Sequence, residues 1–419
     1  MLRSNALGRV TFTCMLSTAL LSSTAPARAQ PAPSLEGDNL VLSRSRPGLS
    51  PTGFSVGGFD VFPSLDASVA FDDNVYETEN DRVSSAVLTA RPGVSVRSSW
   101  SRNALNLDAS GTLERFTSQH SQDNNRFTLG ADGRIDALNS IQVGGSAHYL
   151  SSIEARGTAG DIFSSGEPIR FRRGGGSLSL STLFSNLQFV AEGEVDRVSY
   201  SDVRVGTVVV SQSYRDRLYS AGRLSVVYEV SPSLQPFLQG SFEHEDYDQG
   251  DWLNSNEKVA LAGFNISLTR LLTGRVGVGY RWRDYGNPLF RDSQGLTYDV
   301  GLVWNPRTLL SVTVGAQKTI DESPSQNLSG IIRNQGSVAA DYELLRNLLV
   351  HAGMTYAVEN YRGFDRTDHR TTARLGVTYL MNRFARFQLD YDLARQNGDG
   401  SFSRTYRGNV VGLTLTLQR

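Results

Sequence analysis

From about residue 60 to the C-terminus the chain repeats one pattern, in which apolar and polar side chains alternate over segments of roughly 8 to 14 residues. Leu105, Leu107, Ala109, Gly111 and Leu113 share one face, while Asn106, Asp108, Ser110, Thr112 and Glu114 share the other. The same division runs through 187–196, 274–283 and 386–393. No segment carries a helical period. The expected strands number about 18 and cover 61–72, 85–97, 103–116, 125–137, 140–151, 171–184, 186–199, 214–230, 233–244, 257–269, 272–284, 295–305, 308–319, 334–344, 347–358, 369–380, 383–394 and 405–418.

The lengths of the connections narrow the fold further. Turns after even-numbered strands are short, as at Leu138-Asn139, Ser185, Ser231-Pro232, Arg270-Leu271 and Met381-Asn382. Connections after odd-numbered strands are long: 73–84, 117–124, 152–170, 200–213, 245–256, 285–294, 320–333, 359–368 and 395–404. Tight turns at one end and long loops at the other mark a transmembrane barrel with periplasmic turns and external loops. A sheet in lipid must close, because an open edge leaves backbone N–H and C=O groups unpaired at several kcal/mol each. The expected fold class is therefore all-β, a closed antiparallel transmembrane barrel. A water-soluble sandwich would alternate too, but its loops need not sort into two classes.

Composition agrees. Hydrophobic residues make up 39% of the 419, and there is no apolar run of about 20 residues such as a membrane helix needs. The balance of 41 basic and 42 acidic side chains gives no footprint for nucleic acid. Arg3 and Arg9, the apolar stretch 10–21 and Ala27-Arg28-Ala29 read as a secretory signal peptide over 1–29. Residues 30–60, rich in Pro and Gly, are expected to form a periplasmic lead or a short plug, and 61–419 the barrel. The single cysteine, Cys14, falls in the leader, so the mature chain is expected to have no thiol chemistry. Tyr228, Trp304, Tyr342 and Tyr379 are placed at the periplasmic rim, and Tyr149, Tyr280, Trp282, Tyr298 and Tyr356 at the outer rim, as two interfacial belts.

Motifs for chemistry are scarce. There is no phosphate-binding G-x-x-x-x-G-K-[ST] loop, no H-E-x-x-H and no cysteine for zinc; His120, His148, His244, His351 and His369 are scattered. No enzyme activity, cofactor or metal is expected. A divalent ion at Asp72-Asp73 is a minor alternative to an acidic loop start. The alternation puts Arg217, Arg223, Arg275, Arg281, Arg374 and Arg386 on the inner face, together with Glu192, Glu194, Asp196, Asp299, Asp390 and Asp392. These twelve are the candidate channel-lining residues, able to keep a bore wet or to pair and stiffen the wall. Loop 152–170, with Gly157, Gly160 and Gly166, is the candidate constriction.

Several short motifs follow the leader: Arg44-Ser45-Arg46-Pro47, Pro51-Thr52-Gly53-Phe54, Phe71-Asp72-Asp73-Asn74-Val75-Tyr76, Arg91-Pro92-Gly93-Val94 and Ser99-Trp100-Ser101-Arg102-Asn103. With them the chain resembles the outer-membrane β-barrel porins of the beta-barrel porin 2 type, found in proteobacterial surface-polysaccharide loci. The resemblance spans essentially the mature chain and is sharpest over 44–115. It implies an outer-membrane channel exporting an exopolysaccharide or capsule, with outer-membrane lipid, lipopolysaccharide and periplasmic export components as partners. The alternatives are a general diffusion porin for small polar solutes and a non-conducting barrel that organises envelope assembly. The terminal Leu415-Thr416-Leu417-Gln418-Arg419 keeps the alternation but lacks the aromatic end common in terminal barrel strands.

Overall fold

The structure, a computed structural model, describes residues 40–138, 140–161, 165–249, 251–268, 271–322 and 329–419. The expected signal peptide and residues 30–39 lie outside the described residues. Eighteen long strands follow one another. The first six are β1 Phe59–Asp72, β2 Ser85–Ser98, β3 Ala104–Phe116, β4 Asn124–Leu138, β5 Ile141–Ile153 and β6 Arg170–Phe184. Next come β7 Leu187–Tyr200, β8 Arg217–Tyr228, β9 Leu234–Tyr247, β10 Ser255–Leu268, β11 Leu272–Tyr285 and β12 Ser293–Arg307. The last are β13 Leu310–Asp321, β14 Gly330–Leu345, β15 Leu348–Arg362, β16 Arg366–Leu380, β17 Ala385–Gly400 and β18 Tyr406–Gln418.

Every strand pairs antiparallel with the next, and β18 returns to β1, from Ser64 opposite Gln418 to Asp72 opposite Val410. No long edge is left open, which satisfies the lipid requirement that began the argument. The seam carries its own clasp in the Asp72-Asp73-Asn74 segment. Asp73 accepts hydrogen bonds from the Asn409 backbone N–H at 2.6 Å and its Nδ2 at 2.5 Å. Asn74, fully buried, donates through Nδ2 to the carbonyls of Thr78 and Arg407. These residues join the first strand to the last. Among the described residues no group of three or more His, Cys, Asp or Glu side chains is arranged to hold a metal ion.

Alternation sorts the two faces. Leu178, Leu224, Leu238, Val278 and Leu296 point outward and are 62–73% exposed, the surface that lipid covers. Tyr228, Trp304, Tyr342 and Tyr379 are outward at the ends next to the short turns; Trp282 and Tyr356 are outward at the opposite ends. The periplasmic turns are short throughout, but several external connections are shorter than the apolar pattern implies, two of them down to five residues or fewer. The connection expected at 359–368 contracts to 363–365, because the ladder continues from Asn360 opposite Thr367. That expected at 395–404 contracts to 401–405, with Arg366 opposite Gly400. Backbone pairing needs no apolar side chains, so strands run past the membrane after the hydrophobic signal has ended.

Candidate functional site: the lumen and its two obstructions

The twelve residues singled out by alternation stand on the strand faces opposite the exposed apolar residues. Arg223 stands opposite Glu192 on the neighbouring strand and bonds it at 2.9 Å. Arg374 bonds Asp392 at 2.5 Å, and Arg281 pairs with Glu257. Glu194 and the fully buried Asp196 both pair with Arg173, and Asp196 also meets His148 at 3.1 Å. Arg275 donates to Gln239 at 2.6 Å and lies 3.8 Å above the Phe237 ring. Asp390, buried, accepts from Gln388 at 3.0 Å. Asp299 and Arg386 complete the set on the same face, with no ion pair of 4 Å or less among the described residues. Most of these charges therefore serve the wall as neighbouring-strand pairs, in line with the alternating acidic and basic strands.

One part of the inner face is apolar. Phe237, Val259 and Leu261 are buried there and pack together with Val227. The sequence around them reads Val259-Ala260-Leu261-Ala262, apolar on both faces, so alternation alone does not reveal which side turns inward. The register decides it: Leu261 lies opposite Gln239, and Val259 opposite Ser241 and Arg281.

The outer mouth is crossed by the described parts of the connection between β5 and β6, residues 154–161 and 165–169. Glu154, only 1% exposed, pairs with Arg215 just before β8 at 2.9 Å. Arg215 also lies 3.9 Å over the Tyr200 ring. Arg156 donates to Gln122, which precedes β4, and Gln122 donates to the Gly166 carbonyl. Asp161 joins Arg156 within the segment and Arg404, between β17 and β18, each at 3.0 Å. Ala159 packs on Ile331 of β14 and Tyr361 of β15. The segment thus leaves one side of the barrel and is fastened to the opposite side. Further ion pairs tie the wall at this level: Arg217 with Glu322, Arg283 with Glu245, and Arg333 with Asp321 and Glu359.

Glu77, in the connection between β1 and β2, supports this crossing. Its carboxylate fills the space that a side chain at Gly157 would occupy, beside the Tyr406 hydroxyl and 3.9 Å from Arg370. Gly157 also has φ +73°, a left-handed conformation that glycine adopts without strain. Burial pushes the Glu77 carboxyl up to about 7, while Arg370 pulls the other way.

A second segment occupies the periplasmic end. Residues 40–50 lie against the inner ends of β13–β16. Val41, fully buried, packs with Leu49 on Leu349 and Leu380, and its N–H donates to Ser311 Oγ at 3.0 Å. Arg46 pairs with Glu343 at 2.8 Å, and Arg346 donates to the Pro47 carbonyl. None of these partners shares a strand with residues 40–50 or pairs with one that does, which is why periodicity could not reveal them.

A closed 18-stranded sheet, apolar outside and charged inside, is the architecture of an outer-membrane barrel. The chain belongs to the family described as "Putative beta-barrel porin 2", whose model matches residues 46–419. No curated protein matches the chain. Among solved structures it is similar to the outer membrane protein OpdK of Pseudomonas aeruginosa (12% identity, 86% of this chain and 99% of that one, TM-score 0.44). It is also similar to OccAB2 of Acinetobacter baumannii (12% identity, 86% and 98%, TM-score 0.46) and to OccK3 of P. aeruginosa (15%, 86% and 96%, TM-score 0.45).

Proposed function

We propose that this outer-membrane porin passes small polar solutes by diffusion and that its charged inner face is the path. The observation that carries this reading is the pair of stretches 154–161 and 165–169 held across the outer mouth. A constriction fastened to β14–β15 and to four other external connections suits solutes of limited size. A polysaccharide conduit, the main expectation from the sequence, needs a bore wide enough for a hydrated polymer along its whole length, and the two obstructions speak against it. The neighbouring-strand ion pairs leave hydrogen-bonding edges toward the bore, which favours neutral or zwitterionic polar solutes over strongly charged ones.

The test is swelling of proteoliposomes in a graded series of sugars, alongside conductance in planar bilayers. Entry should fall steeply from monosaccharides to tetrasaccharides. Uniform entry across the series, or passage of long glycans, would overturn the size-limited reading, and a silent barrel would overturn transport altogether.

A further inference from the structure

The lipid-facing side of the seam carries a pair of charges that the fold does not neutralise. Arg395 on β17 and Arg407 on β18 are directly opposed in register, and both are exposed. Each caps an apolar column on the outward face: Leu389 and Leu393 below Arg395, Val411 and Leu413 below Arg407. Like charges placed directly opposite on an antiparallel pair repel. Neither arginine has a carboxylate within ion-pair distance among the described residues, and Arg395 Nε donates only to Asn397 Oδ1 at 3.3 Å. Asp73, the acid that bonds across the seam beside Arg407, already accepts two bonds from Asn409.

Two other outward cations near the outer rim have a carboxylate partner, while Arg115, without one among the described residues, faces Leu88 rather than a second cation. Arg197 of β7 pairs with Asp248, and Lys258 of β10 with Asp284 at 3.4 Å. The arginine pair on β17 and β18 is left to an external anion. Guanidinium groups match phosphate oxygens two at a time, and an anion between them removes their repulsion. The apolar columns directly beneath, with Leu389 and Leu413 each 52% exposed, give acyl chains a wall to lie on.

We propose that Arg395 and Arg407 hold the phosphate of a phosphate-bearing lipid of the outer leaflet, with its acyl chains along β17 and β18. The site lies outside the bore, so it stands or falls independently of transport. The test uses the mature protein in detergent and native mass spectrometry with three probes: diphosphoryl lipid A, the same lipid stripped of phosphate, and inorganic phosphate. Lipid A should bind the wild type and be lost by roughly tenfold or more in the double variant R395A/R407A. R115A, which removes another outward arginine, should bind as the wild type does. The phosphate-free lipid should bind the wild type as weakly as lipid A binds the double variant, a comparison that needs no mutant to fold. Equal binding of lipid A by R395A/R407A, or equal binding of the phosphate-free lipid, overturns the proposal. Inorganic phosphate binding as tightly as lipid A would also overturn it, since the site would then be a free-anion site.

Discussion

Replacing Asp161 by alanine should release the segment that crosses the outer mouth. The Asp161 side chain is 1% exposed and makes three charge-assisted bonds: from Arg156 at 3.0 Å, from Arg404 at 3.0 Å, and from the Gly157 N–H at 3.1 Å. Removing one member of a buried ion pair costs about 3–5 kcal/mol, because the partner stays desolvated without its counter-charge. Here two guanidinium groups from different connections would face each other with no carboxylate between them. Most of this cost falls on the seated segment and little on the barrel, whose ladder Asp161 does not touch. At about 1.4 kcal/mol per factor of ten, the released population should rise by roughly two to three and a half orders of magnitude until it saturates. Two measurements check it. Single-channel conductance in planar bilayers should increase, and trypsin should cleave after Arg156 in the variant while sparing the wild type. The Asp161→Asn variant should move both in the same direction by less, since its amide can still accept from Gly157. Unchanged conductance together with an uncut Arg156–Gly157 bond would refute the claim that this aspartate holds the crossing in place.

The remaining expectations concern pH, seam, wall and periplasmic end. Seating of the 154–169 segment should weaken as pH rises, because the buried Glu77 carboxyl is lifted from 4.5 to about 7. A raised carboxyl favours the proton-bound, seated state, so that stability is complete below about pH 4.5 and is lost as pH climbs through 7. Conductance should therefore increase between those limits in the wild type and become flat in Glu77→Gln; a wild-type profile without slope would refute this. Asp73→Ala removes two bonds across the first-to-last junction and should lower the temperature of heat-modified migration, with Asn409→Ala adding only the smaller loss of its bond from the Tyr391 hydroxyl when combined. Phe189→Arg, on the lipid face, should cost roughly 2–4 kcal/mol of barrel stability, whereas Gln188→Arg, one residue away and inward, should cost little; equal losses would refute the assignment of faces. Val41→Cys with Leu349→Cys should cross-link residues 40–50 to β15 and reduce conductance reversibly on oxidation if that segment moves during passage. A cross-linked barrel that conducts like the wild type would show that it does not.

The barrel was legible because its two requirements both leave marks in sequence. Lipid outside and water inside impose the period of two, and external loops longer than periplasmic turns impose the asymmetry. Those marks placed the 18 strands and set the twelve charged residues on one face. They could not show that Arg281 pairs with Glu257, because Glu257 opens its expected strand, 257–269, where the pattern is weakest. Arg173 lies within an expected strand and could have been found by extending the alternation through its run of glycines. The partnerships of Asp161 with Arg404 and Glu154 with Arg215 join residues from separate connections, and that of Arg217 with Glu322 joins the start of β8 to a distant connection. Only the closed geometry brings them together, so no local spacing announces them. The Asp72-Asp73-Asn74 segment shows the same limit from the other side. It is conspicuous as a cluster of acids, yet its role depends on Asn409, more than three hundred residues away.

Residues 40–50 are made long before the place where they settle. Their dock is Ser311, Glu343, Leu349 and Leu380, supplied by strands that follow some 270 residues or more later in the chain. An early-emerging stretch whose berth is built late must wait in the periplasm while the sheet is inserted. Its berth exists only where β13–β16 stand side by side, which makes its arrival a marker that this stretch of wall has formed.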